Sequence, residues 1–281
     1  MTSGKVATTV GYERRNNPAL RFTGRDDFVA FMNADQPARP ANIANIVAIN
    51  QGRRPLTMGE PTAPGLALEA FDARRAAGAV VVDTRSTAAY AAGHVPGVYH
   101  VHLTNAEFEQ RVGWLVPPDR PILLVVERKD DVARALGALA FVGLDARVEG
   151  YLKGGMQAWI DDGRPMATLP QMTVHELHER LEAANGQRTL DVREAAEWRA
   201  FHIDGARQLS YTQLVERIGE LGFAPDDPIA VVCEGGVRSS TACSLLEMRG
   251  YRKLANVAGG MTAWSAARLP SVDAAGRPVR S

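Results

Sequence analysis

Short runs of β-branched and aliphatic residues, each bounded by turn-forming residues, recur along the chain. Runs of this kind predict parallel strands, because a strand buried on both faces is continuously apolar rather than alternating. The clearest runs are Ala79–Val82, Ile122–Val126, Leu190–Val192 and Ile229–Val232.

Stretches of helical composition lie between these runs. Asp131–Val142 and Ser239–Arg249 are typical of helices, and each is followed by a glycine that can end one, Gly143 or Gly250. Strands alternating with helices at this spacing predict parallel α/β units of about 100 residues each.

The pattern occurs twice, and four sequence landmarks repeat with it in the same order. Equivalent positions lie between 105 and 108 residues apart, which argues for two copies of one unit. The landmarks are Val80–Arg85 with Arg188–Arg193, His94–Gly97 with His202–Gly205, Pro121–Val125 with Pro228–Val232, and Gly154–Trp159 with Gly259–Trp264.

The repeat divides the chain into three parts. A proline-containing connector at Gly163–Gln171 separates the copies, which we place at residues 64–165 and 170–281. Residues 1–63 fit neither copy and are rich in Asn, Pro and Arg. We expect short helices at Asp26–Asn33 and Ala41–Asn50, with the remainder mostly extended. The predicted fold class is α/β, with two tandem domains that each contain a parallel sheet flanked by helices.

Composition excludes several classes of protein. The chain has 281 residues, 46% of them hydrophobic, with 32 basic and 32 acidic side chains, so no overall charge favours nucleic acid or an anionic membrane. Two cysteines make no disulfide framework. The start of the chain has no apolar signal region, and no apolar run approaches the length of a membrane helix. We expect a soluble, cytoplasmic protein.

The segment Val231–Ser239 carries the most chemical information. A buried strand ends at Cys233, the glycines Gly235 and Gly236 permit a tight loop, and a helix opens near Arg238. Such a turn points backbone N–H groups and the positive end of a helix at one spot, where a thiolate is stabilised and acts as a nucleophile.

The ordered motifs of the second copy resemble the rhodanese (sulfurtransferase) family over about residues 170–275, and residues 64–163 resemble a second rhodanese module. The matching positions are Asp191, Arg193, Glu197, His202, Gly205, Cys233, Gly236, Arg238, Gly259, Gly260 and Trp264.

This resemblance implies transfer of a sulfane sulfur through a persulfide on Cys233. The donor would be a small sulfur-containing anion such as thiosulfate, or a persulfide, and the acceptor a thiol or cyanide. No cofactor and no metal is implied. The residues expected to bind the substrate are Glu234, Gly235, Gly236, Val237, Arg238 and Ser239.

Two other functions stay open. The loop Cys-x4-Arg is one residue shorter than the Cys-x5-Arg loop of related phosphatases, which favours sulfur over phosphate but leaves a Cys-dependent phosphatase or arsenate reductase as an alternative. A non-catalytic sulfur carrier or interaction module is the other.

The remaining candidates have structural interpretations. We expect Asp191 and Arg193 to support the loop as an architectural pair, and His202 and His94 to close turns by hydrogen bonding. Cys243 lies on a predicted helix face and is expected to be structural. His100 and His102 have alternating spacing without a carboxylate partner, which argues against a metal site.

Glu234 places a negative charge beside the predicted nucleophile. A carboxylate there opposes the thiolate and repels a dianion such as thiosulfate. We therefore hypothesise that the natural donor is a persulfide or another less charged species, and that Glu234 and Arg238 compete locally.

The first copy lacks the reactive residues. Val126 stands at the position of Cys233 and Asp131 at that of Arg238, and the loop between them has no glycine. We expect this module to be structural, with one face buried against the second.

Residues 10–60 resemble the connector of proteins that fuse a metallo-β-lactamase-fold domain to rhodanese modules. The matching stretches are Val10–Arg15, Asn17–Leu20 and Asn50–Arg53, and the metal-binding signature His-x-His-x-Asp-His is absent from this chain. The resemblance implies a metallo-β-lactamase-fold domain as a further partner, encoded upstream of Met1.

Overall fold

The computed structural model describes residues 7–34, 42–55, 57–104 and 107–279. The described residues up to Ala34 form one compact unit, and those from Asn42 onward form another. No helix among them is long and apolar enough to cross a bilayer.

The N-terminal unit is helical. Helix α1 spans Val10–Asn16, a 3-10 turn spans Pro18–Arg21, and α2 spans Arg25–Ala34. The helix predicted at 26–33 is confirmed, whereas the expectation of a mostly extended segment is wrong at α1. That helix forms because the Thr9 hydroxyl accepts a hydrogen bond from the backbone N–H of Tyr12, a capping signal that the Asn- and Arg-rich composition concealed.

Helix α3, Ile43–Asn50, opens the second unit and confirms most of the second predicted connector helix. Of the residues predicted there, Ala41 lies outside the described residues. The described residues between α3 and Pro64 form neither helix nor strand.

The first module is a five-stranded parallel sheet in the order β1-β5-β4-β2-β3. Its strands are β1 Gly65–Leu66, β2 Val80–Asp83, β3 Tyr99–His100, β4 Ile122–Val125 and β5 Val148–Leu152. Its helices are α4 Leu68–Ala76, α5 Thr87–Ala92, α6 Phe108–Leu115, α7 Asp131–Ala140 and α8 Gly155–Asp161, with a 3-10 turn at Asp145–Arg147.

The second module repeats this topology in the order β6-β10-β9-β7-β8, also all parallel. Its strands are β6 Gln171–Met172, β7 Arg188–Asp191, β8 Arg207–Gln208, β9 Pro228–Val232 and β10 Lys253–Val257. Its helices are α9 Val174–Glu182, α10 Ala195–Ala200, α11 Tyr211–Arg217, α12 Val237–Met248 and α13 Gly260–Ala266, with a 3-10 turn at Ile218–Glu220. A small antiparallel pair, β11 Ser271–Val272 with β12 Pro278–Val279, follows. The predicted fold class of two repeated parallel α/β modules is confirmed.

Helix α12 lies where the modules meet. Eight of its residues in succession, Ser239–Leu246, are buried. One apolar cluster joins side chains of both modules, among them Leu124 of the first and Leu246 of the second. Because α12 begins at the end of the Cys233 loop, the inter-module packing bears directly on that loop. The module boundaries at 64–165 and 170–281 stay predictions.

Candidate active site

The Cys233 loop connects strand β9 to helix α12 at the carboxyl end of the second sheet. Gly236 is the N-cap of α12 and has φ of +94°, a left-handed conformation that favours glycine. This explains why the loop contains glycine at this position, and it places the N-terminus of α12 three residues after Cys233.

Helix α13 holds the loop's carbonyl groups. The carbonyl of Cys233 accepts a hydrogen bond from the backbone N–H of Met261 at 2.8 Å, and that of Glu234 accepts one from Thr262 at 3.0 Å. A Cβ on Gly260 would lie 2.2 Å from the Cys233 oxygen, so only glycine permits this approach. With these carbonyls turned toward α13, the loop can direct N–H groups at the sulfur.

The thiol of Cys233 is buried, with the residue 1% exposed, and has two polar neighbours. The backbone N–H of Gly236 donates to Sγ over 3.1 Å, and the Ser239 hydroxyl oxygen lies 3.3 Å from Sγ. The N–H contact is the interaction expected of a loop that stabilises an anionic sulfur. Of the predicted substrate-binding residues, Gly236 and Ser239 therefore contact the sulfur directly.

Arg238 is paired with Glu197. Its two terminal nitrogens each donate to a carboxylate oxygen of Glu197 over 2.7 Å. Hydrogen bonding to that carboxylate raises the pKa of Arg238, with a further contribution from Cys233. Glu197 also accepts the backbone N–H of Glu194 in a capping box at the start of α10. The helix cap thus holds the carboxylate that positions Arg238.

Asp191 and Arg193 form the buried pair that the sequence predicted. The Arg193 guanidinium donates to both Asp191 oxygens and to the carbonyl of Phe201 at 2.7 Å. Its remaining terminal nitrogen lies 3.5 Å from a carboxylate oxygen of Glu234, whose other oxygen accepts the Thr262 hydroxyl. The pair therefore reaches the loop through Glu234.

The expected competition between Glu234 and Arg238 takes a different form. Each charge has its own partner of opposite sign, Arg193 for Glu234 and Glu197 for Arg238. The sequence could not reveal this, because both partners lie far away in the chain and reach the loop only through the fold.

His202 closes a turn, as predicted. Its Nδ1 lies 2.9 Å from the carbonyl of Trp198, and its ring stacks on that indole with 3.7 Å between centroids. A bridge to Val272 ties the same residue to the C-terminal strand pair. His94 makes the equivalent contacts with Tyr90 in the first module and adds one that the sequence did not reveal: its Nε2 lies 3.0 Å from Glu247 on α12.

His100 links the first module to the helix that carries Ser239. Its Nε2–H donates to the carbonyl of Arg85, so its Nδ1 accepts the hydroxyl proton of Ser240 over 2.9 Å. Its backbone N–H donates to the Ser244 hydroxyl at 3.0 Å. Burial lowers the pKa of His100 to about 4, so the ring is neutral at pH 7.

The second cysteine differs from the first. Cys243 is buried within α12, and burial raises the pKa of its thiol, with smaller contributions from Cys233 and Glu247. It has the structural placement that the sequence predicted. In the part of the chain that the structure describes, no group of three His, Cys, Asp or Glu side chains could hold a metal ion.

The corresponding loop of the first module has different chemistry. Val126 directly follows strand β4, and Asp131 begins α7 and pairs with Arg134 at 3.0 Å and with Arg128 at 3.4 Å. Gly155 faces the Val126 carbonyl as Gly260 faces that of Cys233, but less closely: its Cβ would lie 3.3 Å from the oxygen instead of 2.2 Å. The architecture of the turn is thus kept without the thiol.

Sequence reasoning missed one group of buried residues. Asn256, on β10, accepts the Ser239 hydroxyl proton over 2.6 Å and donates to Gln171 over 2.9 Å. A comparison of the two copies could have revealed this group, because its polar residues occur only in the second copy. The first copy has Val132, Tyr151 and Gly65 at the positions of Ser239, Asn256 and Gln171.

Comparison with known proteins gives matches to both modules. The chain is 33% identical over 113 residues to the probable adenylyltransferase/sulfurtransferase MoeZ of Mycobacterium tuberculosis, covering 40% of this chain and 29% of that protein. It is 26% identical over 239 residues to the thiosulfate sulfurtransferase of Azotobacter vinelandii, covering 66% of this chain and 87% of that protein. The chain thus spans less than a third of the MoeZ relative.

Among solved structures, the rhodanese-like domain of the Anabaena Alr3790 protein is 30% identical, with a TM-score of 0.35, and covers 37% of this chain and 79% of that one. The model of the rhodanese-like domain matches residues 67–162 and again 173–267. The chain therefore belongs to the rhodanese-like domain family and carries two copies of that domain, one with a cysteine in its loop and one without.

Proposed function

We propose that the protein is a sulfurtransferase that carries a sulfane sulfur as a persulfide on Cys233. The observation that supports this most directly is the contact of Gly236 N–H with Cys233 Sγ, in a loop whose carbonyls are held by α13. The membership of both modules in the rhodanese-like family, and the sulfurtransferase names of the relatives, support the same reaction.

In the first half-reaction, the Cys233 thiolate attacks the outer sulfur of the donor. The new Cys233 S–S bond forms as the donor's own bond to that sulfur breaks, and the leaving group departs with the bonding electrons, as sulfite from thiosulfate or as a thiolate from a persulfide. The Gly236 N–H and the N-terminus of α12 stabilise the negative charge that remains on the terminal sulfur.

In the second half-reaction, an acceptor attacks the terminal sulfur of the persulfide. A thiolate becomes a persulfide, or cyanide becomes thiocyanate, and the electrons of the broken S–S bond return to Cys233 as thiolate. No net oxidation occurs, and the cycle needs no cofactor.

The charges around the loop favour a donor with little negative charge. Arg193 and Arg238 are each paired with carboxylates, and Asp191, Glu197 and Glu234 together outnumber them. A dianion such as thiosulfate therefore meets no unbalanced cation among these side chains. A persulfide of a small thiol suits the site better.

The first module is proposed to be structural. It contacts α12 through His94 and His100 near the two ends of the helix, and it has no thiol in its own loop. Its role would be to position the helix that follows the Cys233 loop.

The proposed wider context is a metallo-β-lactamase-fold domain that processes persulfides and exchanges sulfur with Cys233. This part rests on the resemblance of residues 10–60 to the connector of such fusions. An upstream reading frame that encodes His-x-His-x-Asp-His would support it, and a frame that does not encode this motif would argue against it.

Intact-mass measurement tests the proposed reaction. Incubation with thiosulfate or glutathione persulfide should add the mass of one sulfur atom, and cyanide should remove it while forming one equivalent of thiocyanate. Cys233→Ser should acquire no such adduct, whereas Cys243→Ala, which removes the other thiol, should acquire it as the parent does.

The same measurement separates the alternatives. An adduct that forms but turns over no faster than free thiols exchange would indicate a sulfur carrier rather than an enzyme. Absence of an adduct on the parent protein, or an adduct that survives Cys233→Ser, would contradict the proposal. Hydrolysis of an aryl phosphate that is lost in Cys233→Ser would instead support the phosphatase alternative, which the pairing of Arg238 with Glu197 disfavours.

A further inference from the structure

The hydroxyl of Ser239 lies between two atoms that could accept its proton. Its Oγ is 2.6 Å from Asn256 Oδ1 and 3.3 Å from Cys233 Sγ. Ser239 is fully buried and Asn256 is 1% exposed, so bulk water does not compete for the proton. A hydroxyl carries one proton, and it can be directed at only one of these atoms at a time.

The orientation of the Asn256 amide follows from a backbone group. The carbonyl of Leu169 can only accept, so the Gln171 group that lies 3.1 Å from it is the Nε2 donor. The Gln171 oxygen then faces Asn256 and accepts its Nδ2–H over 2.9 Å. Asn256 is therefore held with its oxygen, not its nitrogen, toward Ser239.

Because Asn256 presents an acceptor, the short contact to Ser239 requires the serine proton. Ser239 then offers only oxygen lone pairs to Cys233, and these can accept an S–H but cannot stabilise a bare thiolate. The Gly236 N–H acts in the opposite direction, since it favours negative charge on the same sulfur. The resting sulfur thus receives two opposed hydrogen-bonding influences.

The repeated fold provides an internal comparison. Asn256 pairs in register with Gln171, and the equivalent pair in the first module is Tyr151 with Gly65. The loop that lacks the thiol therefore also lacks this polar chain. The Asp–Arg pair, in contrast, is present in both modules, at Asp83 with Arg85 and at Asp191 with Arg193. Unlike that pair, the Ser239–Asn256–Gln171 chain accompanies only the cysteine.

We propose that Asn256, oriented by Gln171, is a positioning residue that directs the Ser239 proton away from Cys233 and so holds the resting sulfur as a hydrogen-bonded thiol. In this arrangement Ser239 accepts the S–H of the thiol and gives no hydrogen bond to the thiolate. The inference rests on the proposed function only in taking Cys233 as the reacting sulfur.

The ultraviolet absorbance of the thiolate, followed as pH rises, tests the proposal without any sulfur donor. The Cys233→Ser trace is the blank, and the raised pKa of Cys243 keeps that thiol out of the neutral range. Ser239→Ala should move the midpoint of thiolate formation to lower pH by about one unit, since the thiol loses its acceptor while the thiolate loses nothing. Asn256→Ala should move it in the same direction, because the freed hydroxyl can then donate to the sulfur.

Tyr151→Phe is the matched control at the equivalent position of the first module, and its midpoint should equal that of the parent. A rise of the midpoint in Ser239→Ala would mean that the hydroxyl already donates to the thiolate, and would overturn the proposal, as would an unchanged midpoint. If Asn256→Ala does not fold, the direction in which Ser239→Ala moves the midpoint of thiolate formation still tests the proposal. Because no sulfur donor is present, failure of this test is distinct from failure of the mass measurement, which tests the sulfurtransferase itself.

Discussion

Nδ1 of His100, in the module without a cysteine, lies 2.9 Å from the hydroxyl of Ser240, the residue that follows Ser239 in α12. The contact is buried and joins the two copies of the repeat. It ties the module without a cysteine in its loop to the helix that follows the Cys233 loop. The start of that helix is thus held by a side chain of the neighbouring module.

Replacing His100 by alanine should destabilise the whole protein. The change leaves a cavity beside Tyr90, on which the imidazole stacks at 4.2 Å, and removes the acceptor of the Ser240 hydroxyl. We expect a loss of about 2–4 kcal/mol in the free energy of unfolding, measured by urea denaturation. His175→Ala, at a residue exposed on α9, is the control and should change little. A His100→Ala variant as stable as the parent would show that the inter-module contact is dispensable.

Stability should fall as the pH is lowered from about 6.5 to about 4. His100 has a pKa of about 4 when folded, below its ordinary 6.5, so within this pH window the unfolded chain binds a proton at His100 and the folded protein does not. Proton binding therefore favours the unfolded state. Asp83, Arg85 and His102 are the charged or titratable groups that act on the ring. Between pH 7 and pH 5 the loss should be about 2 kcal/mol. Urea denaturation of His100→Asn over the same range should show a smaller slope, and an identical slope would contradict this account.

Neutralising Glu234 should favour a charged sulfur donor. The side chain is about half exposed, at 48%, and its charge is only partly balanced by Arg193 at 3.5 Å. In Glu234→Gln we expect kcat/KM for thiosulfate to rise about three-fold at low ionic strength, and less at high salt. A less charged persulfide donor should show a smaller change. Glu220→Gln, at an exposed pair with Arg217, is the control. An unchanged thiosulfate rate in Glu234→Gln would refute the charge argument.

Gly260→Ala and Gly155→Ala form a matched pair across the repeat. Both glycines have positive φ, +52° and +58°, so each substitution strains the backbone by about 1–2 kcal/mol. At Gly260 the added Cβ would also lie 2.2 Å from the Cys233 carbonyl, whereas at Gly155 the nearest atom is 3.3 Å away. We expect Gly260→Ala to lower the sulfur-transfer rate about 100-fold by displacing the loop.

Gly155→Ala should retain the rate at a reduced melting temperature. Equal losses of activity in the two variants would indicate that the approach of α13 to the Cys233 loop has no special role. Circular dichroism of both variants establishes that each is folded before the rates are compared.

The sequence alone determined the fold class, and it predicted the position of the reactive loop. Apolar runs such as Ile229–Val232 mark strands buried on both faces, and the ordered landmarks reveal the repeat, because both signals are local and survive divergence between the copies. The sequence also distinguished the surroundings of Cys233 from those of Cys243, since only Cys233 follows an apolar strand and precedes two glycines.

Only the tertiary structure decided the partners of the charged and polar groups. Glu197 lies 41 residues from Arg238, and His100 lies 140 residues from Ser240, so nothing in the local pattern connects them. The same holds for Asn256, which the chain places beside Ser239 through the pairing of strands rather than through sequence. Hydrogen bonds and ion pairs form over a few ångströms in space, and the fold alone brings such distant positions together.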